Sequence, residues 1–570
     1  MYFMALALDF DGTLAYEGKV RATTIEALIA VKASGRKLIM VTGRELRDLK
    51  QVFDRLDLFD LVVAENGALL YTPQTETQYL LAEPPPEQFV EKLKNYGVTT
   101  LSRGHVIVAT VEPHETAVLE VIRDMGLELK IIFNKGAVMV LPSSINKMTG
   151  LAIALKQLGL SLHNVIGIGD AENDHTFLST VGLGVAVANA YDAVKQSAGW
   201  VTQGECGQGV EELIDQLIKD ESNLVNKIRH KIIVGSDSQD RLVELSPVDR
   251  VLIAGNSGIG KSTLATFLTE EMSAQGFQFC IFDPEGDYEN LENAMSIGEI
   301  KSPPLLEQVI KILEDSTRNV VVNTLGIELK ERPSFFTKLA PQLVSLKANY
   351  GHPHWLIIDE AHHLIPAMKD HSSLFLPKEG TILITVHPNE ISAEALKTLN
   401  VIITLGPRAC DIIEQVSQII EESLPDFPLH APLEDELLIW QRTPVSCIKT
   451  LKAHQPKQQH KRHTRKYAEG DLSEEFCFYF RGPNNALNIK AQNLMIFLQI
   501  AEGIDEATWM HHLQKNDYSD WFHTHIKDDT LADAAAQIEK DTSLSAAQSK
   551  QAIANLVKER YTAPASAKEY

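Results

Sequence analysis

Short apolar runs recur along two long blocks of this chain, and most of them are followed by a helical stretch. In the first block the runs are MALALDF, KLIMVTG, DLVVAENG, NVIGIGD and GVAVANA; in the second they are VLIAG, FCIFD, NVVVNTLG, WLIIDE, TILITV and NVIITLG. Strands that are apolar throughout must be covered on both faces, so each block reads as a parallel sheet flanked by helices. At 570 residues the chain exceeds what one core supports, and two to four domains are expected.

The first block spans residues 1–82 and 142–220. Three prolines, Pro84, Pro85 and Pro86, open an insertion at 83–141 that reads helix (QFVEKLKNYG), strand (HVIVATV), helix (TAVLEVIRDMG) and two strands (LKIIF, AVMVL). Polar DESNLVNKIRHK closes the block. The second α/β domain is expected at 232–430, a basic linker at 431–466, and a mostly helical domain at 467–570, with apolar residues at helical spacing. Trp509, Tyr518 and Trp521 are expected in the core of that last domain.

The first strand ends in Asp9-Phe10-Asp11-Gly12-Thr13, which puts two carboxylates at alternate positions of extended chain, on the same side. A DxD alone is as well explained by turn capping. Three more features follow in order. Thr42-Gly43-Arg44 places a hydroxyl beside a glycine where a strand turns into a helix, suited to a phosphate oxygen. Lys147 opens the first helix after the insertion, and Asp170 and Asp174 sit at another strand end. All lie at carboxyl ends of presumed parallel strands, where open α/β sheets build sites.

Together with Glu65-Asn66-Gly67 after the third strand, these motifs make residues 1 to about 218 resemble the haloacid dehalogenase superfamily, type IIB (Cof-like). The resemblance implies a Rossmann-like parallel sheet with an α/β cap, and a Mg²⁺-dependent phosphatase working through an aspartyl phosphate. It implies Asp9 as nucleophile and Asp11 as general acid and base, with Thr42 and Lys147 on the phosphate. Asp9, the Asp11 carbonyl and Asp170 would hold Mg²⁺, Asp174 close behind and Asn173 orienting them. Such chemistry is sound, since a carboxylate is ionised at neutral pH and its acyl phosphate is hydrolysable. Substrate choice is expected in the cap, where Arg103 and His105 are the conspicuous polar side chains. The small insertion is similar to those of phosphatases acting on phosphoglycolate or sugar phosphates, hence a small phosphorylated metabolite.

In the second block Gly255-Asn256-Ser257-Gly258-Ile259-Gly260-Lys261-Ser262, followed by Thr263, lies between a strand and a helix. Such glycines let successive backbone N–H groups face phosphates; Lys261 reaches the terminal ones and Ser262 contacts Mg²⁺. About a hundred residues on, LIIDEAHHL ends a buried strand in Asp359 and Glu360. Asp359 suits the metal, and Glu360 can polarise the attacking water, favouring hydrolysis of ATP over mere binding. FDPEGDY, IDEAHHLIP and TVHP make residues 245 to 425 resemble HerA/FtsK-type P-loop ATPases, with His387 where that branch usually carries a polar sensor. His362 and His363 read as helix-surface or packing residues. The resemblance allows a homo-oligomeric ring built through this domain.

The formal charge of −23 repels polyanions at long range, so nucleic acid could bind only through a local basic patch, such as KAHQPKQQHKRHTRK at 452–466. Five widely spaced cysteines argue for free thiols in a reducing compartment. With no apolar run long enough to span a bilayer, no membrane partner and a cytoplasmic location are expected. The leading reading is therefore a phosphatase fused to an ATP-hydrolysing module. The alternative is an ATP-driven nucleic-acid motor or switch whose phosphatase processes nucleotides or nucleic-acid ends. A kinase joined to a phosphatase is a weaker third, because Glu360 suits water activation.

Overall fold

The computed structural model describes residues 1–561 apart from 135, 257–258, 300, 366–376, 427–429, 434, 458–471, 473–475 and 527. The fully buried strand Ala5–Leu8 lies inside an eight-stranded sheet. Its order is Trp200–Val201, Leu183–Ala186, Val165–Gly169, Ala5–Leu8, Lys37–Val41, Leu61–Ala64, Leu69–Thr72, Thr77–Leu80. The first six run parallel and the last two antiparallel. Asp9, Thr42, Glu65 and Asp170 each follow a parallel strand, so one edge of the sheet gathers them all.

The insertion is a second, antiparallel sheet of four strands ordered Leu129–Asn134, Ala137–Pro142, Val108–Val111, Ser102–Arg103. Val108, Val138 and Val140 turn to Phe89, Leu93, Val118 and Val121 on the helices Glu87–Asn95 and Glu115–Met125. Alternation sends Ile132, Met139 and Leu141 the other way, onto Ala68 of the first domain.

The second large sheet has seven parallel strands: Val401–Leu405, Arg250–Ala254, Thr381–Thr385, Trp355–Ile358, Phe279–Asp283, Val320–Asn323, Met295–Ile297. Four antiparallel strands extend one edge, in the order Glu436–Gln441, Cys447–Ala453, Ile232–Ser236, Leu242–Leu245. Residues 436–453 thus correct the expected linker at 431–466: they are a hairpin of the sheet. Its second strand, CIKTLKA, buries only Ile448 and Leu451, and that half-exposed pattern hides a strand that the neighbouring Leu437, Leu438, Ile439 and Trp440 hold in register. The basic residues Lys461, Arg462, Arg465 and Lys466 fall outside the described residues.

The C-terminal region is mostly helical, with a short hairpin of Phe478–Phe480 and Ile489–Ala491. Trp509, Tyr518 and Trp521 are buried in its core, the Trp509 ring stacked on Tyr518 at 4.3 Å. No helix among the described residues is long and apolar enough to cross a membrane, and the five cysteines are free thiols.

The two large sheets meet at the amino ends of their strands, through a seam rich in histidine. His163 stacks on Phe277 at 3.8 Å and donates from Nε2 to the Gln275 carbonyl at 2.9 Å. His354 accepts the Gln278 N–H on Nδ1 (2.8 Å), so its Nε2–H donates to Asn164 Oδ1 at 3.1 Å. His352 Nε2 lies 2.9 Å from the Gly159 carbonyl. Gly351, at φ +82°, is needed here twice: for that backbone angle, and because a Cβ would sit 2.5 Å from the Asn164 side chain. Both sheets point their carboxyl edges away from the seam, so the two sets of motifs lie at opposite ends of this pair of domains.

Burial first, and His230 second, push His163 down to about 4. A histidine held below its unfolded value of about 6.5 contributes stability that is complete above that pH and lost as pH falls towards 4. The loss amounts to about 3 kcal/mol. His163→Phe, which keeps a ring against Phe277, is expected to lose less stability than the parent between pH 7 and pH 4 in denaturant unfolding. Equal losses in both proteins would contradict this.

Candidate functional site

At the carboxyl edge of the first sheet, Asp9, Asp170 and Asp174 come together, each buried, with carboxylate oxygens within 4.8 Å of one another. Lys147, at the first position of the helix Lys147–Leu158, reaches Asp9 Oδ1 and Asp174 Oδ1, both at 2.6 Å. That helix starts where it does because Asn146 and Thr149 form a reciprocal capping box. Its first turn lies directly on the Glu65-Asn66-Gly67 turn. A Cβ on Gly67 (φ +103°) would stand 2.0 Å from the Asn146 carbonyl oxygen.

Three carboxylates share one ammonium. Burial, then Asp174, raise Asp9 to about 8 against the opposing pull of Lys147, with Asp170 adding to the rise. Lys147, which burial alone would lower, is carried above its ordinary range by Asp174 and Asp9. Both members of the Asp9–Lys147 pair move up because the cluster has more negative than positive charge, and hard oxygen donors with excess negative charge suit Mg²⁺. Asp174 Oδ2 accepts the N–H groups of Asp170 and Ala171 at 3.0 Å each, so it braces the loop that carries Asp170. Thr13 Oγ1 lies 3.3 Å from Asp170 Oδ1.

Thr42 is fully buried, its Oγ1 accepting the Arg44 N–H at 3.1 Å. Asp11 is held in a bidentate grip by Arg44, 2.6 Å from Nε and 2.7 Å from Nη2, and Arg44 also pairs with Asp48. Sequence reasoning marked Arg44 only as part of a phosphate turn; its clamp on Asp11 joins residues 33 apart and leaves no local pattern. Glu65 is another residue the sequence did not assign. Its carboxylate accepts the N–H groups of His105, Val106 and Ile107 at 2.8–2.9 Å, tying the cap to the site edge. Asn173 donates to Asn66 Oδ1 at 2.9 Å, and Asn66 meets Met139 Sδ of the cap at 2.7 Å.

Of the cap's conspicuous polar residues, Arg103 turns to Glu87 at the start of a cap helix, 3.5 Å away. Its neighbour Ser102 faces the first domain and donates to Glu45.

The second sheet gathers Gly255, Asn256, Ile259, Gly260, Lys261, Ser262 and Thr263 at its own carboxyl edge, while Ser257 and Gly258 lie outside the described residues. Lys261 opens the helix Lys261–Ala274 after Gly260 (φ +95°), and its Nζ meets the Asn256 carbonyl at 2.7 Å. Asp359 is buried; burial first, then Glu360, Asp287 and Asp283, raise its pKa well above the usual carboxylate range. Asp283 caps the FDPEGDY loop, accepting the N–H groups of Glu285, Gly286, Asp287 and Tyr288.

Glu360 holds a left-handed backbone (φ +45°) that aims its carboxylate back at His362, 3.4 Å from Nδ1. His362 is buried there, 3.1 Å from Thr385 Oγ1, while His363 and His387 are exposed.

Residues 6–112 and 105–214 match the family model described as haloacid dehalogenase-like hydrolase, and residues 248–425 the one described as helicase HerA, central domain. Over 219 residues the chain is 32% identical to a phosphoglycolate phosphatase of Methanothermobacter thermautotrophicus, an alignment covering 37% of this chain and 96% of that protein. A phosphoglycolate phosphatase of Methanosarcina acetivorans is 27% identical over 229 residues, 38% of this chain and 97% of its own. Among solved structures, a haloacid dehalogenase-like hydrolase from Bacteroides thetaiotaomicron is 19% identical and covers 38% of this chain and 99% of its own, with a TM-score of 0.34.

Proposed function

The chain belongs to the haloacid dehalogenase-like hydrolase family through its first 214 residues and carries a HerA-type central domain behind them, and on that premise we propose a Mg²⁺-dependent phosphomonoesterase coupled in one chain to an ATP-hydrolysing module. The observation that supports it best is the buried cluster of Asp9, Asp170, Asp174 and Lys147 at the sheet edge. The substrate class is a small phosphorylated metabolite such as phosphoglycolate or a sugar phosphate.

Asp9 attacks phosphorus in line while Asp11, once it has left Arg44 and taken a proton from solvent, passes that proton to the departing alkoxide oxygen. Asp11 then takes a proton from water, whose oxygen attacks the acyl phosphate. The P–O bond to Asp9 breaks, freeing inorganic phosphate and the carboxylate. Lys147 and the Thr42 hydroxyl steady the phosphoryl oxygens throughout. Asp9, Asp170 and the Asp11 carbonyl would hold Mg²⁺, Asp174 behind them, and the ion would supply neutralisation of phosphoryl charge. Glu65 keeps the cap loop at 105–107 over the edge, limiting water.

In the second domain, Gly255 to Thr263 and Asp359 would hold ATP and its metal, Ser262 as a ligand, and Glu360 would take the proton of the attacking water. The likeness to a helicase central domain favours a second reading, a nucleic-acid motor or switch, built as a homo-oligomeric ring, whose phosphatase trims nucleotides or nucleic-acid ends. A kinase feeding the phosphatase is disfavoured, since the two edges face away from each other.

Phosphate release from a panel of phosphorylated metabolites, nucleotides and nucleic-acid ends, each with and without ATP, separates these readings. Turnover of small monoesters is expected. Release from nucleic-acid ends alone would establish the second reading in place of the first.

A further inference from the structure

The face of the cap turned to the first domain carries apolar side chains, Ser102 bonded to Glu45 at one edge, and one cation. Lys130 and Leu141 are opposite each other in the register of the two long cap strands, as are Ile132 and Met139, so these four share a face. Leu141, Ile132 and Met139 pack towards Ala68 of the first domain, which fixes that face as the inward one. Met139 Sδ touches Asn66, which is bonded to Asn173 of the Asp170–Asp174 loop. The strand of Lys130 itself lies against the Glu172–Asp174 turn. Lys130 is two residues, about 7 Å, along that strand from Ile132, within the span of its own side chain.

Among the described residues the Lys130 ammonium has neither a hydrogen bond nor an ion-pair partner, although the residue is partly buried. A lysine in that position carries a desolvation cost with nothing to offset it, and burial lowers its pKa. Arg103 cannot take this role, because it faces the opposite side of the sheet and pairs with Glu87.

We propose that Lys130 is the cap's specificity residue and receives the carboxylate of a phosphate monoester whose leaving group is a short hydroxy acid, while Asp9 and Lys147 engage the phosphate. This rests on the phosphomonoesterase reading and sharpens it: a carboxylate beside the ester would complete the ion pair that Lys130 lacks, whereas a sugar would offer only hydroxyls to an ammonium set among Leu141, Ile132 and Met139.

The test compares kcat/KM for 2-phosphoglycolate with that for 2-hydroxyethyl phosphate, which differs by an alcohol in place of the carboxylate. Expected for the parent is a preference for the acid. Lys130→Met should lower the ratio of the two values about tenfold or more, mainly through KM for the acid, because a charge-assisted bond is lost. Lys130→Arg should largely keep the ratio, and so should Arg103→Met on the other face. Circular dichroism and thermal unfolding of each variant report on folding.

An unchanged ratio in folded Lys130→Met, or a parent indifferent to the carboxylate, would overturn the assignment while leaving the phosphatase standing. No hydrolysis of any monoester by the parent would overturn the phosphatase reading and the assignment with it.

Discussion

Asp9→Asn is expected to lower phosphate-ester turnover by on the order of 10³-fold or more, to background, with ATP hydrolysis unaffected within twofold. The amide is isosteric with the carboxylate but a far poorer nucleophile, and no neighbouring group can take its place. Asp174 braces its own loop, Asp170 follows the neighbouring strand, and Asp11 is turned to Arg44. The variant should fold. It removes one of three crowded buried carboxylates, whose excess negative charge is unfavourable, and leaves Lys147 paired with Asp174 at 2.6 Å. ATP turnover is spared because the seam joins the amino ends of both sheets, setting the second site at the far edge. Ester hydrolysis persisting in a folded Asp9→Asn protein would remove Asp9 from the nucleophile's place.

Much of this architecture is legible in sequence, and for a physical reason. Strands such as Leu61–Ala64 or Trp355–Ile358 are buried on both faces, so they are apolar at every position, and the parallel order of both sheets follows from the helices between them. The residues that end these strands were equally visible, because a carboxylate at a strand terminus is marked by the apolar run before it.

What was hidden depends on distance along the chain. The second strand of the hairpin at 436–453 was obscured because its exposed positions are polar, and the strand on its far side, Ile232–Ser236, is remote in sequence. Arg44 reads as part of a turn until its carboxylate partner, 33 residues earlier, is in place. Glu65 reads as a strand-end acid until three backbone amides about 40 residues on converge upon it. The seam is the extreme case. His163 and His354 each look like surface residues in isolation, and only the docking of two sheets makes them a buried set. Strand alternation could have separated Arg103 from Lys130, but only once the register of the cap strands was known.

At the other edge, Glu360→Gln is expected to slow ATP hydrolysis by roughly 10²–10⁴-fold, the range for loss of a positioned general base, while nucleotide binding and ester hydrolysis persist. Glu360 has the features of a base held ready. It follows the buried strand Trp355–Ile358, stands in a backbone conformation uncommon for a non-glycine residue, and points at His362 rather than into solvent. His362 in turn lies against Thr385 at the end of the neighbouring strand, so the carboxylate's direction is set from two strands at once. Glutamine preserves that shape and removes only the ability to accept a proton, which is why binding should survive. Lys261→Ala should instead weaken binding and hydrolysis together, because its ammonium stands at the start of the helix after Gly260 and meets the Asn256 carbonyl. Calorimetric nucleotide binding alongside phosphate release distinguishes the two variants. ATP turnover within threefold of the parent in a folded Glu360→Gln protein would rule out Glu360 as the base and leave Asp359 and its acidic neighbours to be tested in its place.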